Sequence, residues 1–265
     1  MHIDEKIEKS KSVIREAIER FGLERIAVAI TGGKDSTLNL WLFKSVCDEM
    51  GVKPPFCMFI DEGDMFDEIW EFVSYISRLW ALEKKFTVLK NEDVACRAAK
   101  IGAEISVSSL NEVNRAALKE IGFSGPSFEF VPDSTLCNHL MKTVPMREFI
   151  LKNAVRALST AIRRDEQAAR REEEYFSPRD NPEHTRIHPI LHFSERDVWI
   201  AIFKYDIPYN RLYKQGYRSL GARCATSKNS DIPAWMQDLE GTPERIGRGQ
   251  NKEQVMDQLR ALGYM

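Results

Sequence analysis

The sequence of 265 residues lacks the cysteine spacings that build metal clusters, and it contains no long apolar run. Its five cysteines include no Cys-x-x-Cys pair, whereas zinc sites and four-cysteine iron–sulfur clusters need closely spaced partners. No apolar stretch approaches the length that spans a bilayer, and the charged amino terminus predicts a helix rather than a signal peptide. We therefore expect no iron–sulfur cluster, no membrane partner, reduced thiols and a cytoplasmic location.

The sequence also has no excess of one charge, since 38 basic and 40 acidic residues leave a formal net charge of −2. Proteins that cover nucleic acid carry a strong positive excess, so the composition argues against a nucleic-acid partner. The length suffices for one α/β domain with its own core. We expect that domain over residues 1–215 and a tail over 216–265 that returns to the active site. The oligomeric state stays open, with a homo-oligomer among the options.

The strongest chemical signal follows a short apolar run at residues 26–30. The next residues are Thr31-Gly32-Gly33-Lys34-Asp35-Ser36-Thr37, and an amphipathic stretch continues from them; this order predicts a strand, a tight turn and a helix. Glycines let the backbone approach a ligand, and the start of a helix offers free N–H donors and the positive end of its dipole. The run therefore predicts an anion-binding loop with a spacing unlike that of a Walker A or dinucleotide motif.

This run resembles the Ser-Gly-Gly-Lys-Asp-Ser pyrophosphate loop of the adenine nucleotide α-hydrolase-like superfamily, with Thr31 in place of the first serine. The resemblance implies a Rossmann-like, doubly wound parallel sheet with helices on both faces. It also implies that ATP is cut between its α and β phosphates. Lys34 would then hold the leaving pyrophosphate, and the other residues that would bind the nucleotide are Thr31, Gly32, Gly33, Asp35, Ser36 and Thr37.

A second apolar strand is predicted at residues 56–60, and acidic residues follow it. Asp61 and Gly63 match the His-x-Asp-Thr-Gly segment of the same superfamily, while Glu62 stands where the threonine would be. Acidic residues at the carboxyl end of a parallel strand lie where open α/β sheets bind ligands. We expect Asp61 to place Mg²⁺ for the ATP chemistry, with a solvated turn as the alternative.

Two adjacent arginines follow another predicted strand at residues 154–160. Neighbouring guanidinium groups repel each other and favour bidentate oxyanions, so Arg163 and Arg164 are predicted to bind an anion, with salt bridges at the surface as the alternative. With Asp165 and Glu166 they resemble the Gly-Arg-Arg-Asp-Glu signature of the small subunit of two-subunit ATP sulfurylases and of sulfonucleotide reductases. The resemblance implies that both arginines stabilise charge in the transition state.

Three further arginines are predicted to contact the substrate anion. The charged stretch 172–184 has few apolar anchors and predicts a mobile lid, in which Arg179 is the anion contact. Arg218 lies in the run Gly216-Tyr217-Arg218-Ser219-Leu220-Gly221, which resembles the reductases and the flavin adenylyltransferases. Arg223 follows this run, and both arginines lie where the tail is expected to return to the site.

The resemblance leaves the reaction open. The tail from Thr242 to Met265 is most similar to the end of the sulfurylase subunit, with a Glu-Arg-x-Gly-Arg segment, a charged stretch predicted to be a helix, and Gly263-Tyr264 near its end. No cysteine follows Cys224, whereas the reductases attack the sulfate sulfur with a carboxy-terminal cysteine. Our first choice is therefore an ATP-dependent sulfate adenylyltransferase. Because sulfate activation is uphill and the sequence has no GTP-binding motif, a GTPase partner subunit is expected.

Three alternatives remain beside that choice. One is a thiol-dependent reductase of adenosine phosphosulfate or its 3′-phosphorylated form, which would use Cys224 or a thiol of a partner. Another is adenylyl transfer to a different acceptor, such as flavin mononucleotide (FMN) or a target for sulfur insertion. The last is a subunit that senses ATP without catalysis.

Overall fold

The computed structural model describes residues 2–167, 170–228 and 230–248, so the last part of the predicted tail, residues 249–265, lies outside the described residues. The first half of the fold alternates strands and helices: α1 (Ile3–Phe21), β1 (Ile26–Ile30), α2 (Lys34–Glu49), β2 (Phe56–Ile60), α3 (Asp67–Leu79), β3 (Phe86–Leu89) and α4 (Glu92–Ala95). The second half contains β4 (Glu104–Ser106), α5 (Glu112–Glu120), β5 (Ser127–Glu129), α6 (Thr135–Asn138), α7 (Val144–Lys152), β6 (Ala157–Ser159), β7 (Phe176–Asp180), β8 (Glu183–Ile187) and α8 (Glu195–Lys204). Among the described residues, no helix combines the length and the apolar character needed to cross a bilayer.

Six strands form the main sheet in the order β3-β2-β1-β6-β8-β7. All neighbouring pairs are parallel except β7 and β8, which run antiparallel. The chain moves outward from the central β1 to β3 and then returns to β6 on the other side of β1. Open α/β sheets bind ligands at such a reversal of strand order, beyond the carboxyl ends of the strands. The predicted doubly wound sheet is thus confirmed, and its switch point lies between β1 and β6.

Both faces of the sheet are buried. Alternate residues of β1, Ile26, Val28 and Ile30, pack in the core cluster that contains residues of α1, α2, α3 and α8. Ala27 faces the other way and packs in a cluster with Phe149 and Ile150 of α7. Strands covered on both sides need continuous apolar runs rather than an alternating pattern, and this explains the composition of β1 and β2.

The prediction of a mobile lid over residues 172–184 is wrong. β7 and β8 fill most of that segment and pair in antiparallel register from Phe176 opposite Ile187 to Asp180 opposite Glu183. The polar side chains of Ser177, His184 and Arg186 are buried, so they are part of the interior although their composition is typical of a surface loop. Hydropathy could not reveal this, because hydrogen bonds and charge partners stabilise these buried groups.

His188, just after β8, makes folding stability depend on pH. The side chain is 1% exposed, and burial and then the charges of nearby arginines lower the pKa of His188 to about 3. An unfolded histidine has a pKa of about 6.5, so stability that is present above pH 6.5 is lost as the pH falls toward 3, by about 2 kcal/mol at pH 5. We expect His188→Gln to remove this part of the loss in urea unfolding at pH 7.5 and pH 5. The exposed control His2→Gln should keep it, and equal slopes for the two variants would contradict the assignment.

Candidate active site

A cavity of about 290 Å³ opens at the carboxyl ends of β1, β2 and β6, at the switch point of the sheet. Its apolar wall consists of Ala29, Ile30, Met58, Phe59, Ile60, Met65, Met146, Ala161, Ile162 and Leu220. Ligand pockets generally combine such an apolar wall with a few convergent polar groups. This surface is suited to a flat aromatic group such as a purine.

The glycine-containing loop after β1 forms the polar floor of the cavity. Thr31, Gly33, Lys34, Asp35 and Ser36 all line it. The Thr31 N–H donates to Ser36 Oγ at 3.1 Å, and the hydroxyls of Ser36 and Thr37 each donate to the Gly33 carbonyl at 2.9 Å. These bonds hold the turn against the first turn of α2.

Gly32 makes this turn possible. Its φ is +75°, and a Cβ there would lie 2.9 Å from Ile69 Cγ2 of α3. Only glycine adopts such a conformation without strain and leaves room for the neighbouring helix. The predicted tight turn is therefore present, and it packs directly on α3.

The Lys34 ammonium group does not project freely into the cavity. It is 1% exposed and forms ion pairs with Glu244 and with Asp35 Oδ2 at 3.0 Å, while Glu195 Oε1 lies 3.8 Å away. Burial alone would lower the pKa of Lys34, but these carboxylates more than offset it and hold that pKa well above its ordinary value. Lys34 is thus charged, and the neighbouring carboxylates of the protein neutralise its charge.

Arg163 belongs to the same ion-pair cluster. The residue is fully buried; its Nε lies 2.9 Å from Asp165, and its two terminal nitrogens contact Asp35 and Glu244. A guanidinium held on three sides by carboxylates is oriented by them. Arg163 therefore lies beneath the loop and ties it to the tail.

Arg164 lies elsewhere, which corrects the expectation that the two arginines face the reacting centre together. Its side chain is on the surface, donates to the Glu173 carbonyl at 3.0 Å and lies 5.8 Å from the centre of the Tyr175 ring. Adjacency in sequence does not place two side chains on one face.

The other predicted anion contacts are also outside the cavity lining. Arg218 is 2% exposed, and its Nη2 and Nε donate to Glu195 Oε2 at 2.7 and 3.0 Å, so it joins the tail to α8. Arg179 lies 3.5 Å from Glu173, and Arg223 donates to the Met65 carbonyl at 2.7 Å. These placements correct the expectation that the three arginines contact the substrate.

Asp61 and Gly63 line a separate depression rather than the cavity. Asp61 accepts a hydrogen bond from the Gly63 N–H at 2.9 Å, and the Lys90 ammonium lies 3.4 Å from its carboxylate. No group of three or more metal-ligating side chains occurs in the described ranges. The surroundings of Asp61 do not fit a magnesium site, because the Lys90 ammonium already neutralises the Asp61 carboxylate.

Five cationic residues that were not predicted as site residues line the cavity: Lys142, Arg170, Arg186, Arg245 and Arg248. Several have carboxylate partners, with Lys142 2.6 Å from Glu62 and Arg245 3.4 Å from Glu166. They come from distant parts of the chain, so no local motif joins them. The Glu-Arg-x-Gly-Arg segment of the tail contains two of them, Lys142 lies in the run from Cys137 to Met146, and Arg170 follows the Arg-Arg-Asp-Glu signature.

The tail supplies part of the cavity wall. Ser219, Leu220 and Gly221 line it, and so do Glu244, Arg245 and Arg248. The Tyr213 hydroxyl, just before the tail, accepts a hydrogen bond from the Lys34 N–H at 2.8 Å. The cavity therefore depends on long-range packing as well as on the loop.

No cysteine lines the cavity in the described part of the chain, which includes all five cysteines. Cys224 is exposed. Partial burial and the neighbouring Asp64 carboxylate raise the pKa of Cys224 to about 12. Because the thiolate is the nucleophilic form, Cys224 is poorly suited to attack a ligand at neutral pH.

The family model "Phosphoadenosine phosphosulfate reductase domain" matches residues 25–228. The adenosine 5′-phosphosulfate reductase of Geobacillus thermodenitrificans is 32% identical over 99 residues, 37% of this chain and 41% of that protein. The phosphoadenosine 5′-phosphosulfate reductase of Xylella fastidiosa is 25% identical over 205 residues, 77% of this chain and 73% of that protein. The chain spans about two fifths of the length of the Geobacillus reductase that it matches.

Among solved structures, the FMN adenylyltransferase of Candida glabrata superposes with a TM-score of 0.65. It is 18% identical, and the match covers 94% of this chain and 88% of that one. At this identity the likeness supports the fold alone.

Proposed function

Because this chain belongs to the phosphoadenosine phosphosulfate reductase domain family, we propose that its cavity binds an adenine sulfonucleotide, adenosine 5′-phosphosulfate or its 3′-phosphorylated form. The observation that carries the proposal is the lining of the cavity. An apolar wall suited to adenine lies beside an anion-binding loop and a set of cationic side chains. This combination matches a ligand with one flat apolar part and one strongly anionic part.

The charges of the lining support an anionic ligand. Six basic and four acidic side chains line the cavity, so its walls carry a net positive charge. A confined site of one charge raises the local concentration of ligands of the opposite charge. Arginine is also the side chain best suited to donate two parallel hydrogen bonds to the oxygens of one phosphate or sulfate.

The reaction that we assign requires a thiol. A thiolate attacks the sulfate sulfur, and an S–S bond forms while the S–O bond to the phosphate breaks. Adenosine 5′-monophosphate leaves with the electron pair, or adenosine 3′,5′-bisphosphate where the substrate carries the 3′-phosphate. A second thiol then attacks the first sulfur and releases sulfite, leaving a disulfide. The cations of the cavity would stabilise the phosphate as it leaves. Since no described cysteine lines the cavity, we propose that a separate dithiol protein supplies both thiols.

Ligand binding is tested by thermal unfolding of the whole chain with each nucleotide. We expect adenosine 5′-phosphosulfate or its 3′-phosphorylated form to raise the melting temperature, because a ligand that binds only the folded state stabilises it. Sulfite release with added thioredoxin-type dithiol tests the reaction. No shift with either sulfonucleotide would refute the assignment.

Arg248 should contribute strongly to binding. It lines the cavity, and a charge-assisted contact to a phosphate or sulfate is worth about 1.5–3 kcal/mol. We expect Arg248→Ala to weaken sulfonucleotide binding by about tenfold or more in calorimetric titration. Arg164→Ala is the matched control, because that arginine is exposed and outside the cavity, and it should leave the dissociation constant unchanged. Equal losses in the two variants would contradict this placement of the anion site.

A second candidate is adenylyl transfer from ATP, favoured by the loop residues Thr31, Gly33 and Ser36 that line the cavity. Radiolabelled pyrophosphate exchange tests it with sulfate or FMN as acceptor. The relatives named above give the sulfate adenylyltransferase prediction no specific support, since they are reductases and an FMN adenylyltransferase. The GTPase partner belongs to that reaction alone and stays a prediction.

A further inference from the structure

We propose that Glu244 and Tyr213 determine which nucleotides the loop accepts, admitting those that end in a singly charged sulfate and disfavouring those that end in a more highly charged phosphate. The inference rests on the proposed function, because it concerns the anionic end of the same ligand. It adds two specificity-determining residues, one in the tail and one just before it.

Glu244 already occupies the cationic groups beneath the loop. Its two carboxylate oxygens are divided between them, Oε1 on the Lys34 ammonium and Oε2 on the Arg163 guanidinium. The residue is 8% exposed and lines the cavity. Burial opposes its charge, but Arg163 and Lys34 outweigh burial and hold the pKa of Glu244 far below its ordinary value. A negative charge of the protein thus stands where the loop would hold an anion of the ligand.

Tyr213 occupies a second donor of the loop. Its hydroxyl accepts the Lys34 N–H at 2.8 Å, at the first residue of α2. A Cβ placed on Gly33 would lie 3.3 Å from the same hydroxyl oxygen, so the tyrosine packs closely against the loop. The N–H at the start of a helix is the donor that a phosphate would use, and here it is used within the chain.

The positive charge around these donors is more than offset without a ligand, because three cationic side chains meet four carboxylates. Lys34 and Arg163 contact Asp35, Asp165 and Glu244, and Glu195 lies 3.8 Å from Lys34 while it pairs with Arg218. A terminal phosphate with two negative charges would meet more repulsion from these carboxylates than a sulfate with one.

The segment that carries Glu244 is anchored to other parts of the chain. Arg245 pairs with Glu166 at 3.4 Å, and Arg248 lies 3.7 Å from Asp133. The Ser227 N–H donates to the Gly247 carbonyl at 2.9 Å, next to a bridge between Thr226 and Arg248. A ligand cannot displace the Glu244 carboxylate without breaking its contacts to Lys34 and Arg163.

Adenosine 5′-phosphosulfate and ADP are a suitable probe pair, because they have nearly the same size and differ mainly in the charge of the terminal group. Isothermal titration of the full chain at pH 7.5 gives the ratio of their dissociation constants. We expect the wild-type chain to favour the sulfonucleotide by about tenfold or more. Glu244→Gln keeps the shape of the side chain and removes its charge, and it should reduce this preference by about tenfold.

Two further variants complete the design. Tyr213→Phe keeps the ring and releases the Lys34 N–H, so it should reduce the preference by about threefold, and it tests the proposal even where Glu244→Gln fails to fold. Glu240→Gln is the control, because Glu240 is an exposed tail carboxylate that pairs with Arg196 at 2.6 Å outside the cavity. This control should keep the wild-type ratio.

Each outcome has one meaning. A wild-type chain that binds ADP as well as adenosine 5′-phosphosulfate overturns the inference and leaves the proposed function standing. The same holds where folded Glu244→Gln and Tyr213→Phe keep the wild-type ratio. A wild-type chain that binds no sulfonucleotide overturns both the proposed function and the inference that rests on it.

Discussion

Replacing Arg163 with methionine is expected to lower the free energy of unfolding by about 3–5 kcal/mol, the cost of breaking a buried ion pair from one side. Arg163 is fully buried, and its guanidinium contacts Asp35, Asp165 and Glu244. Without it, these carboxylates lose their shared partner, and Glu244 lies in a site that water reaches poorly. Methionine fills much of the volume of the arginine side chain, so the expected loss of stability comes from the missing charge rather than from a cavity.

Urea unfolding monitored by circular dichroism measures this loss. Arg164→Met is the matched control, because its side chain is exposed and donates to a carbonyl at the surface; it should change stability by less than about 0.5 kcal/mol. The double variant Arg163→Met with Glu244→Met should recover part of the loss, since apolar replacement of both members of a buried pair is often tolerated. If Arg163→Met and Arg164→Met cost the same, the ion-pair cluster does not stabilise the fold.

Replacing Gly32 with alanine is expected to weaken sulfonucleotide binding by about tenfold or more. The residue has a φ of +75°, and a Cβ would lie 2.9 Å from Ile69 Cγ2. The loop must therefore shift, and the Gly33 and Lys34 backbone that follows it moves with it. A displaced anion loop loses contacts to the ligand even though no side chain that binds the ligand has changed.

Gly51→Ala separates backbone strain from the effect on the site. Gly51 has a φ of +66°, and a Cβ there would meet nothing within 4 Å. Both variants should lose about 1–2 kcal/mol of stability through the left-handed conformation. Only Gly32→Ala should lose affinity in calorimetric titration with adenosine 5′-phosphosulfate. Normal affinity in a folded Gly32→Ala chain would show that the loop does not touch the ligand.

The elements with strong local signals were predictable from sequence. β1, β2 and β3 are short apolar runs, and the loop at Gly32 has the turn chemistry that its φ requires. The capping box at the start of α8 is present, with Ser194 accepting from the Asp197 N–H and Asp197 from the Ser194 N–H. The β7–β8 hairpin was missed because polar side chains occupy its buried positions. The hydropathy of a residue depends on its side chain alone and does not show whether a buried partner stabilises it.

The sequence by itself determined the family, the doubly wound sheet and the position of the anion loop, because turn chemistry and apolar runs act over a few neighbouring residues. Only the tertiary structure decided which charged side chains meet at the cavity. Arg163 and Arg164 are adjacent in sequence but lie apart, whereas Lys142, Arg186 and Arg248 are far apart in sequence and line the same cavity. A charged residue looks the same in sequence whether water or a buried partner stabilises it, and only long-range packing selects between the two.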